Sequence, residues 1–199
     1  MSHYFINDEN QVSNEKEFQV EVLKQKYKFI TDNGVFSKGE YDTASKLLVE
    51  TVSTLEIAGD VLDVGCGYGA LGVVLATKNP EAQVHMIDVN LRALDLAKRN
   101  AQLNNVENVQ VYESDLYQAV EKKDFDLVIS NPPIRAGKKV VHDVLTGAND
   151  VLKQDGALVI VIGKQHGAAS AQKKMMEVFG NVERIARDKG FWILSSVKG

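Results

Sequence analysis

Short apolar segments alternate with stretches of helical periodicity along the chain from residue 61 to residue 178. The apolar segments predict buried strands at 61–64, 84–88, 109–113, 125–130 and 157–162. Apolar residues at helical spacing predict helices at 71–77, 91–104, 141–151 and 169–178, with a short helix at 116–122. Strands that alternate with helices in this way form a doubly wound, mostly parallel sheet. We therefore expect a Rossmann-like α/β fold.

Two further pairs of segments predict β-hairpins. Polar and apolar residues alternate over 17–23 and 26–29, so we expect an N-terminal hairpin that serves as a lid or as an added sheet edge. Segments 182–187 and 191–197 flank Asp188-Lys189-Gly190, a turn that would place an antiparallel pair in the sheet. Between the N-terminal hairpin and the first parallel strand, a loop at 34–37 precedes a helix that begins at Asp42 or Thr43.

The composition predicts one globular domain without a disulfide or a metal site. The chain has 199 residues, of which 44% are hydrophobic and 25% charged, and this suits a single core. We expect a flexible tail at 1–15, the hairpin at 16–33 and the main domain at 34–199. The formal net charge of −4 provides no long-range attraction for nucleic acid, although it is compatible with a local basic patch. The single cysteine, Cys66, excludes an internal disulfide, and the four histidines lack the spacing of a zinc site.

Neither a secretion signal nor a membrane span is evident in the sequence. The first residues are polar and lack a basic segment followed by an apolar one. The longest apolar run, at 157–163, is too short to cross a bilayer. A cytoplasmic location is expected.

Three alternating glycines, Gly65, Gly67 and Gly69, follow the first parallel strand and precede an apolar helical run. A tight turn without a ligand is one interpretation, and a close approach of backbone to a small ligand is another. A nicotinamide site would need the spacing G-x-G-x-x-G, and its pyrophosphate would be repelled by Asp63. A carboxylate beside the turn suits an ammonium or a sulfonium group instead. The turn, with Cys66 as a small packing residue, therefore favours S-adenosylmethionine.

Acidic residues also follow the next two strands. Asp88 with Val89 ends the second strand, where a carboxylate can accept hydrogen bonds from both ribose hydroxyls. Asp115 with Leu116 follows the third strand at the same sheet edge, within reach of an adenine amino group. Taken singly, Asp88 could be an ordinary turn residue and Asp115 a helix N-cap. Three acids at three successive strand ends are a more specific signal for a nucleoside cofactor.

The segment from Leu62 to Gly69 resembles the first motif of class I S-adenosylmethionine-dependent methyltransferases. Asp88 and Asp115 stand where that superfamily places its ribose and adenine contacts. The resemblance extends over about residues 34 to 197. It implies a seven-stranded sheet whose last two strands form an antiparallel hairpin.

Asn131-Pro132-Pro133-Ile134 follows the fourth strand. As local structure this is a stiff turn. As chemistry, the Asn131 side-chain oxygen and a carbonyl near Pro132 could accept both N–H groups of a planar amine and direct its lone pair at the methyl group. The segment resembles the N-P-P-aromatic signature of methyltransferases that act on adenine, guanine N2 or protein glutamine. Ile134 replaces the stacking aromatic residue, and Phe36, Tyr117 or Trp192 could supply the ring.

The upstream segment that contains Phe36, Ser37, Asp42 and Ser45 resembles the entry of the "methyltransferase small" family, as does Asn131 to Lys138. The RsmC-type members of this family methylate guanine N2 in 16S ribosomal RNA. The resemblance implies that Phe36 and Ser37 line the active-site mouth. It also implies ribosomal RNA or the 30S particle as partner. The RNA would contact Arg135, Lys138 and Lys139, with further cations at 24, 26 and 28 of the hairpin.

Other functions stay open on the sequence alone. Ile134 and the acidic pI are compatible with a protein-glutamine or small-molecule N-methyltransferase. A non-catalytic module that binds RNA or a partner is a further alternative, although the intact acidic and Asn-Pro-Pro residues argue against it. The glycine spacing disfavours a dehydrogenase.

Overall fold

A seven-stranded sheet forms the centre of the molecule in the computed structural model, which describes residues 11–55, 57 and 59–199. Its strands are β3 (Val61–Val64), β4 (Val84–Asp88), β5 (Val109–Glu113), β6 (Phe125–Ser130), β7 (Leu152–Gly163), β8 (Glu183–Asp188) and β9 (Phe191–Val197). The strand order is β5-β4-β3-β6-β7-β9-β8. Strands β3 to β7 are mutually parallel, whereas β9 runs antiparallel to both β7 and β8. The predicted fold class is confirmed.

Helices cover both faces of this sheet and bury its apolar side chains. They are α1 (Thr43–Val52), α2 (Ala70–Lys78), α3 (Leu91–Leu103), α4 (Lys138–Val151) and α5 (Ala169–Phe179). Side chains of α1, α2 and α3 pack into the core on one face, and those of α4 and α5 pack into the core on the other. Strand β3 is buried along its whole length because both of its faces are covered.

The N-terminal hairpin consists of β1 (Lys16–Val22) and β2 (Gln25–Thr31), which form a two-stranded sheet of their own. The prediction that it adds an edge to the main sheet is therefore wrong. The outer edge of β2 lies against α3, where two asparagine side chains one turn apart take the place of a neighbouring strand. Asn100 exchanges hydrogen bonds of 2.7 and 2.9 Å with the backbone of Ile30, and Asn104 exchanges bonds of 3.0 and 2.7 Å with that of Lys28. The hairpin is thus fixed to α3.

Three elements differ from the prediction by more than two residues. Residues 116–119 form turns instead of a short helix, because Leu116 has a φ of +51° and Ser114 Oγ accepts the Ala119 N–H. Helix α4 begins three residues early, after Gly137, so that it includes Lys138 and Lys139. Strand β7 also begins early, because Leu152 pairs with Phe125 ahead of the predicted apolar run.

Residues 1–10 of the predicted flexible tail lie outside the described residues, whereas residues 11–15 are held against the fold. Asp32 accepts hydrogen bonds from Ser13 Oγ at 2.8 Å and from the Asn14 N–H at 2.6 Å. Glu15 forms a salt bridge of 2.6 Å with Arg99 on α3. Among the helices built from described residues, none is long and apolar enough to span a membrane.

Candidate active site at the β3–β6 sheet edge

The chain reverses its direction of travel across the sheet between β3 and β6, and the carboxyl ends of these two strands border a cavity. In open parallel sheets, ligands bind at such a switch point. Ser130 Oγ donates a 2.7 Å hydrogen bond to the Val64 carbonyl and thereby holds the two strand ends together. The cavity has a volume of about 1120 Å³, above the roughly 300–1,000 Å³ of ordinary ligand pockets. It therefore has room for a cofactor together with an acceptor group.

The glycine turn forms one wall of the cavity. Gly65, Gly67 and Gly69 all have positive φ, at +73°, +55° and +90°, a conformation that glycine adopts without steric cost. The N–H groups of Gly65 and Cys66 donate to the Ile87 carbonyl, which fixes the turn to the end of β4. A Cβ atom on Gly65 would meet no heavy atom within 4 Å, because this glycine opens into the cavity. Gly69 lies deeper, against Ala97 of α3, and does not line the cavity.

Asp63 lies beneath the glycine turn and is fully buried, so it does not reach the cavity surface. Its Oδ2 atom accepts the Gly72 N–H at 3.0 Å, and its buried Oδ1 atom has no hydrogen-bond partner among the described residues. Burial raises the pKa of this carboxyl group to about 7, and the nearby charge of Asp88 adds to the increase. Asp63 therefore supports the first turn of α2. The sequence predicts a direct contact between this carboxylate and a cation, and a fully buried side chain does not provide it.

Asp88 and Asp115 both line the cavity, together with Val89 and Leu116. Asp88 is 6% exposed and accepts the Gly67 N–H and the Asn90 N–H, each at 2.9 Å. These bonds fix its carboxylate at the end of β4, the place at which a carboxylate binds ribose hydroxyls in nucleotide-binding sheets. Asp115 is exposed, and its Oδ2 accepts a 3.3 Å bond from Gln118. The open glycine wall and these two acids fit a cationic nucleoside such as S-adenosylmethionine.

Cys66 lines the cavity but is buried to 6% exposure. Burial raises the pKa of its thiol well above the ordinary value, and Asp88 and Asp63 act in the same direction. A thiol that stays protonated is a poor nucleophile. Cys66 therefore fills space within the turn.

Asn131 faces the glycine turn from the end of β6, and its side-chain amide is held by α1. Its Nδ2 atom donates to Asp42 Oδ2 and to Ser45 Oγ, both at 3.0 Å. Asp42 Oδ2 also accepts the Ser45 N–H at 2.8 Å and so caps α1. An ionised carboxylate only accepts hydrogen bonds, so the NH₂ group of Asn131 must point towards Asp42. The Asn131 carbonyl oxygen is thus the atom that is left to accept hydrogen bonds from a ligand.

The rest of the Asn-Pro-Pro segment also lines the cavity, with Pro132 buried and Pro133 and Ile134 half-buried. Of the three aromatic residues proposed to replace a ring at position 134, only Phe36 lines the cavity, and it is 49% exposed. Tyr117 instead packs under α4, where its hydroxyl group donates to the Val144 carbonyl at 2.6 Å. Trp192 lies outside the cavity as well.

The loop that carries Phe36 and Ser37 is attached to the start of α3. Asn90 Nδ2 donates to the Gly34 carbonyl at 2.9 Å. Arg92 forms a 3.1 Å salt bridge with Asp32, and this bridge lies at the base of the loop. Several hydrogen bonds, including those from Ser13 and Asn14, keep the pKa of Asp32 below its ordinary value despite its burial. The mouth of the cavity is therefore built on α3, the helix that follows Asp88.

The predicted RNA-contacting cations are divided between the cavity and other surfaces. Arg135 lines the cavity, whereas Lys138 and Lys139 lie on the first turn of α4 outside it. Lys139 forms a 2.7 Å salt bridge with Asp143. The hairpin lysines at 24, 26 and 28 do not line the cavity, and neither does any other residue of β1 or β2, so that the hairpin is not a lid. Within the described part of the chain, no three His, Cys, Asp or Glu side chains are grouped to hold a metal ion.

Several lining residues were not predicted as site residues, and those with polar or aromatic side chains include Asp42, Ser45, His166 and Phe191. A helix N-cap signal at Asp42 is visible in the sequence, but its bond to Asn131 joins positions 89 residues apart. Phe191 reaches the cavity because β9 runs antiparallel to β7 and pairs it with Gly163. No local pattern marks either contact.

Comparison with known proteins agrees with this geometry. Residues 26–195 match the model of the methyltransferase small domain family. The uncharacterized Bacillus subtilis protein YbxB is 41% identical over 98% of both chains. Ribosomal RNA small subunit methyltransferase C of Aliivibrio fischeri is 33% identical over 92% of this chain and 53% of its own length.

A similar solved structure is the T. thermophilus 16S rRNA N2-guanine methyltransferase RsmC, in complex with AdoMet and guanosine. It superposes with a TM-score of 0.84 at 26% identity and covers 93% of this chain and 51% of that one. The chain thus spans about half the length of these RsmC relatives. The family predicted from the upstream segment with Phe36 and Ser37 and from the segment Asn131 to Lys138 is confirmed: the chain belongs to the methyltransferase small domain family.

Proposed function

We propose that this protein transfers a methyl group from S-adenosylmethionine to the exocyclic N2 atom of a guanine in 16S ribosomal RNA. The observation that carries the proposal is the fixed amide of Asn131, whose NH₂ group is bound by Asp42 and Ser45. Its carbonyl oxygen is therefore available to a substrate that offers N–H groups. The RsmC relatives, which are named for ribosomal RNA methylation, support the same substrate class. Such a substrate agrees with a cytoplasmic location.

The chemistry requires orientation more than acid–base catalysis. The guanine amino group is a weak nucleophile because its lone pair is delocalised into the ring. The Asn131 side-chain oxygen and the backbone carbonyl that precedes Pro132 would accept its two N–H groups and turn the lone pair towards the cofactor. Much of the rate acceleration would come from this positioning.

S-adenosylmethionine supplies a methyl group that is activated by its sulfonium charge. A new N–C bond forms as the S–C bond breaks, the bonding pair stays on sulfur, and the amine releases one proton to solvent. Asp88 would bind the ribose, and the glycine turn would contact the cofactor through backbone.

Phe36 completes the acceptor site at the mouth of the cavity. Its ring is 49% exposed, and it stands on the loop attached to α3. A guanine that has been turned out of its RNA stack would place one face against this ring, as single-stranded bases do on aromatic side chains. Ile134 would then cover apolar surface in the position of the family's usual aromatic residue.

A labelled-methyl assay tests the proposal. The purified protein would be given labelled S-adenosylmethionine with free 16S RNA, 30S subunits or total protein, each taken from a strain that lacks the gene. We expect label in RNA, recovered as N2-methylguanosine after digestion. Label in glutamine residues of protein, or in no RNA species, would refute the RNA assignment.

Asn131→Ala tests the role of the amide. The variant should bind S-adenosylmethionine normally and lose transfer by a factor of roughly 10²–10³, as when one preorganised hydrogen-bonding group is removed from an active site. Retention of most of the activity would show that Asn131 is not the acceptor-binding group.

A further inference from the structure

A basic groove lies beside the cavity, at the turn between β8 and β9. It is lined by four exposed cationic side chains and one acidic side chain: Lys164, Arg184, Arg187, Lys189 and Asp188. The whole chain carries 27 acidic and 23 basic side chains, so this local excess of positive charge is opposite to the net charge. In the part of the chain that the structure describes, none of these four cations forms a salt bridge, in contrast to Lys139.

The groove is preorganised by contacts within the fold. The Arg184 guanidinium group lies 4.6 Å from the centre of the Trp192 ring, which restrains its plane without neutralising its charge. Arg187 is paired with Trp192 in the β8–β9 ladder and stands beside it. The Lys164 N–H donates a 2.8 Å bond to the Gly190 carbonyl and joins the end of β7 to the hairpin turn. Planar guanidinium groups held in this way suit bidentate contacts with phosphate oxygens.

The groove continues the sheet edge on which the acceptor site stands. Phe191 lines both the cavity and the groove. Strand β8 is the third strand from β6, which ends at Asn131. Strands are about 4.8 Å apart, so the groove is roughly 14 Å from the acceptor site, a reach of a few nucleotides. A polyanion that delivers a base to Asn131 would therefore pass over these cations.

We infer that the groove at Lys164, Arg184, Arg187 and Lys189 binds the sugar-phosphate backbone of RNA next to the nucleotide that enters the cavity. This inference rests on the proposed function for its choice of polyanion. It assigns RNA docking to the C-terminal hairpin instead of the first turn of α4 or the N-terminal hairpin. Backbone contacts of this kind provide affinity and register, whereas the base is recognised in the cavity.

The test uses the double variant Arg184→Gln/Arg187→Gln and a 16S RNA transcript, with binding measured over a range of salt concentrations. Each phosphate contact contributes about 0.7 to the slope of log affinity against log salt on single-stranded nucleic acid. Loss of two contacts should reduce the slope by about 1.4 and the affinity roughly 25-fold at about 0.1 M salt. The matched control is Lys98→Gln/Lys123→Gln, which removes two exposed cations outside the cavity and the groove and should bind as the unmodified protein does.

Binding of S-adenosylmethionine and the thermal midpoint would show whether each variant is folded. Since Arg184 contacts Trp192, Lys164→Gln/Lys189→Gln provides a second pair that leaves the ring contact intact. Unchanged affinity and salt slope in a folded groove pair, or no RNA binding by the unmodified protein, would overturn the inference. Groove-dependent RNA binding without methyl transfer to RNA would instead refute the proposed function and leave the groove assignment standing.

Discussion

The arrangement of Asp42, Ser45 and Asn131 makes a specific prediction for Asn131→Asp, a change that keeps the side-chain shape almost constant. In the native protein, Asn131 Nδ2 lies 3.0 Å from Asp42 Oδ2. The substitution replaces this donor with a second carboxylate oxygen, so that a hydrogen bond becomes a contact between like charges. Helix α1 is affected as well, because the same oxygen of Asp42 caps it.

The magnitude follows from the distance. Two unit charges 3 Å apart repel by about 5 kcal/mol at an effective dielectric constant near 20, and salt and small displacements reduce this value. We expect a loss of roughly 3 kcal/mol at pH 8, which lowers the unfolding midpoint by about 6–12 °C for a chain of this size. At lower pH the two neighbouring carboxyl groups of the folded variant bind a proton, and this proton removes their repulsion. Stability relative to the native protein should therefore fall as pH rises and recover as pH drops towards about 5.

Thermal unfolding of four proteins checks this reasoning: the native chain, Asn131→Asp, Asp42→Asn and the double variant. Asn can cap a helix as Asp does, so Asp42→Asn should keep α1 intact. In that background, Asn131→Asp should cost much less because the repulsion is absent. Methyl transfer by the single variant should fall at least as far as in Asn131→Ala. An Asn131→Asp protein with native stability and activity at pH 8 would refute the proposed orientation of the amide.

Three further predictions concern the support of the site. In the folded native protein the raised pKa keeps the Asp63 carboxyl group protonated up to about pH 7, so the free energy of unfolding should fall by about 1.4 kcal/mol per pH unit as pH rises from about 4 to 7. Asp63→Asn removes this carboxyl group and should abolish the decrease. Parallel pH dependences of the two proteins in chemical denaturation would contradict this prediction. Gly72→Ala should cost roughly 1–3 kcal/mol by overpacking, since its Cβ would lie within 2.5 Å of Met86 Cγ. The cost, measured by the same method, should shrink in a Met86→Ala background. Asn104→Ala should destabilise the contact between β2 and α3 by about 1–2 kcal/mol, because it removes both hydrogen bonds to the Lys28 backbone. Amide hydrogen exchange should accelerate at Lys28 and remain slow in β3. Unchanged exchange at Lys28 would show that the Asn104 side chain does not hold the hairpin.

The sequence was sufficient for four of the five parallel strands and for the sheet edge at which the cavity lies. Strands β3, β4, β5 and β6 have the predicted boundaries, since each is a short apolar run that ends at a polar turn. Their acids and glycines meet because the carboxyl ends of parallel strands share one edge. The chain order of the strands then predicts that Asn131 lies at this edge, and it lines the same cavity as the glycine turn.

Other features depended on contacts that leave no periodic signal. The hairpin lies on α3 because Asn100 and Asn104 bind the backbone of residues 70 to 76 positions away. The amide of Asn131 is oriented by residues 86 and 89 positions away. In both cases a polar side chain was visible in the sequence, but its partner depended on tertiary packing. The turn at 116–119 escaped prediction for a local reason, because the backbone of Leu116 is left-handed.

The attachment of the Phe36 loop to α3 has a kinetic consequence. Asp88 Oδ1 accepts the Asn90 N–H, and the Asn90 side chain holds the Gly34 carbonyl two residues before Phe36. A ribose on Asp88 would stiffen this chain of contacts and thereby fix the ring against which the acceptor base stacks. We therefore expect an ordered mechanism in which S-adenosylmethionine binds first, RNA joins the binary complex, and S-adenosylhomocysteine departs last.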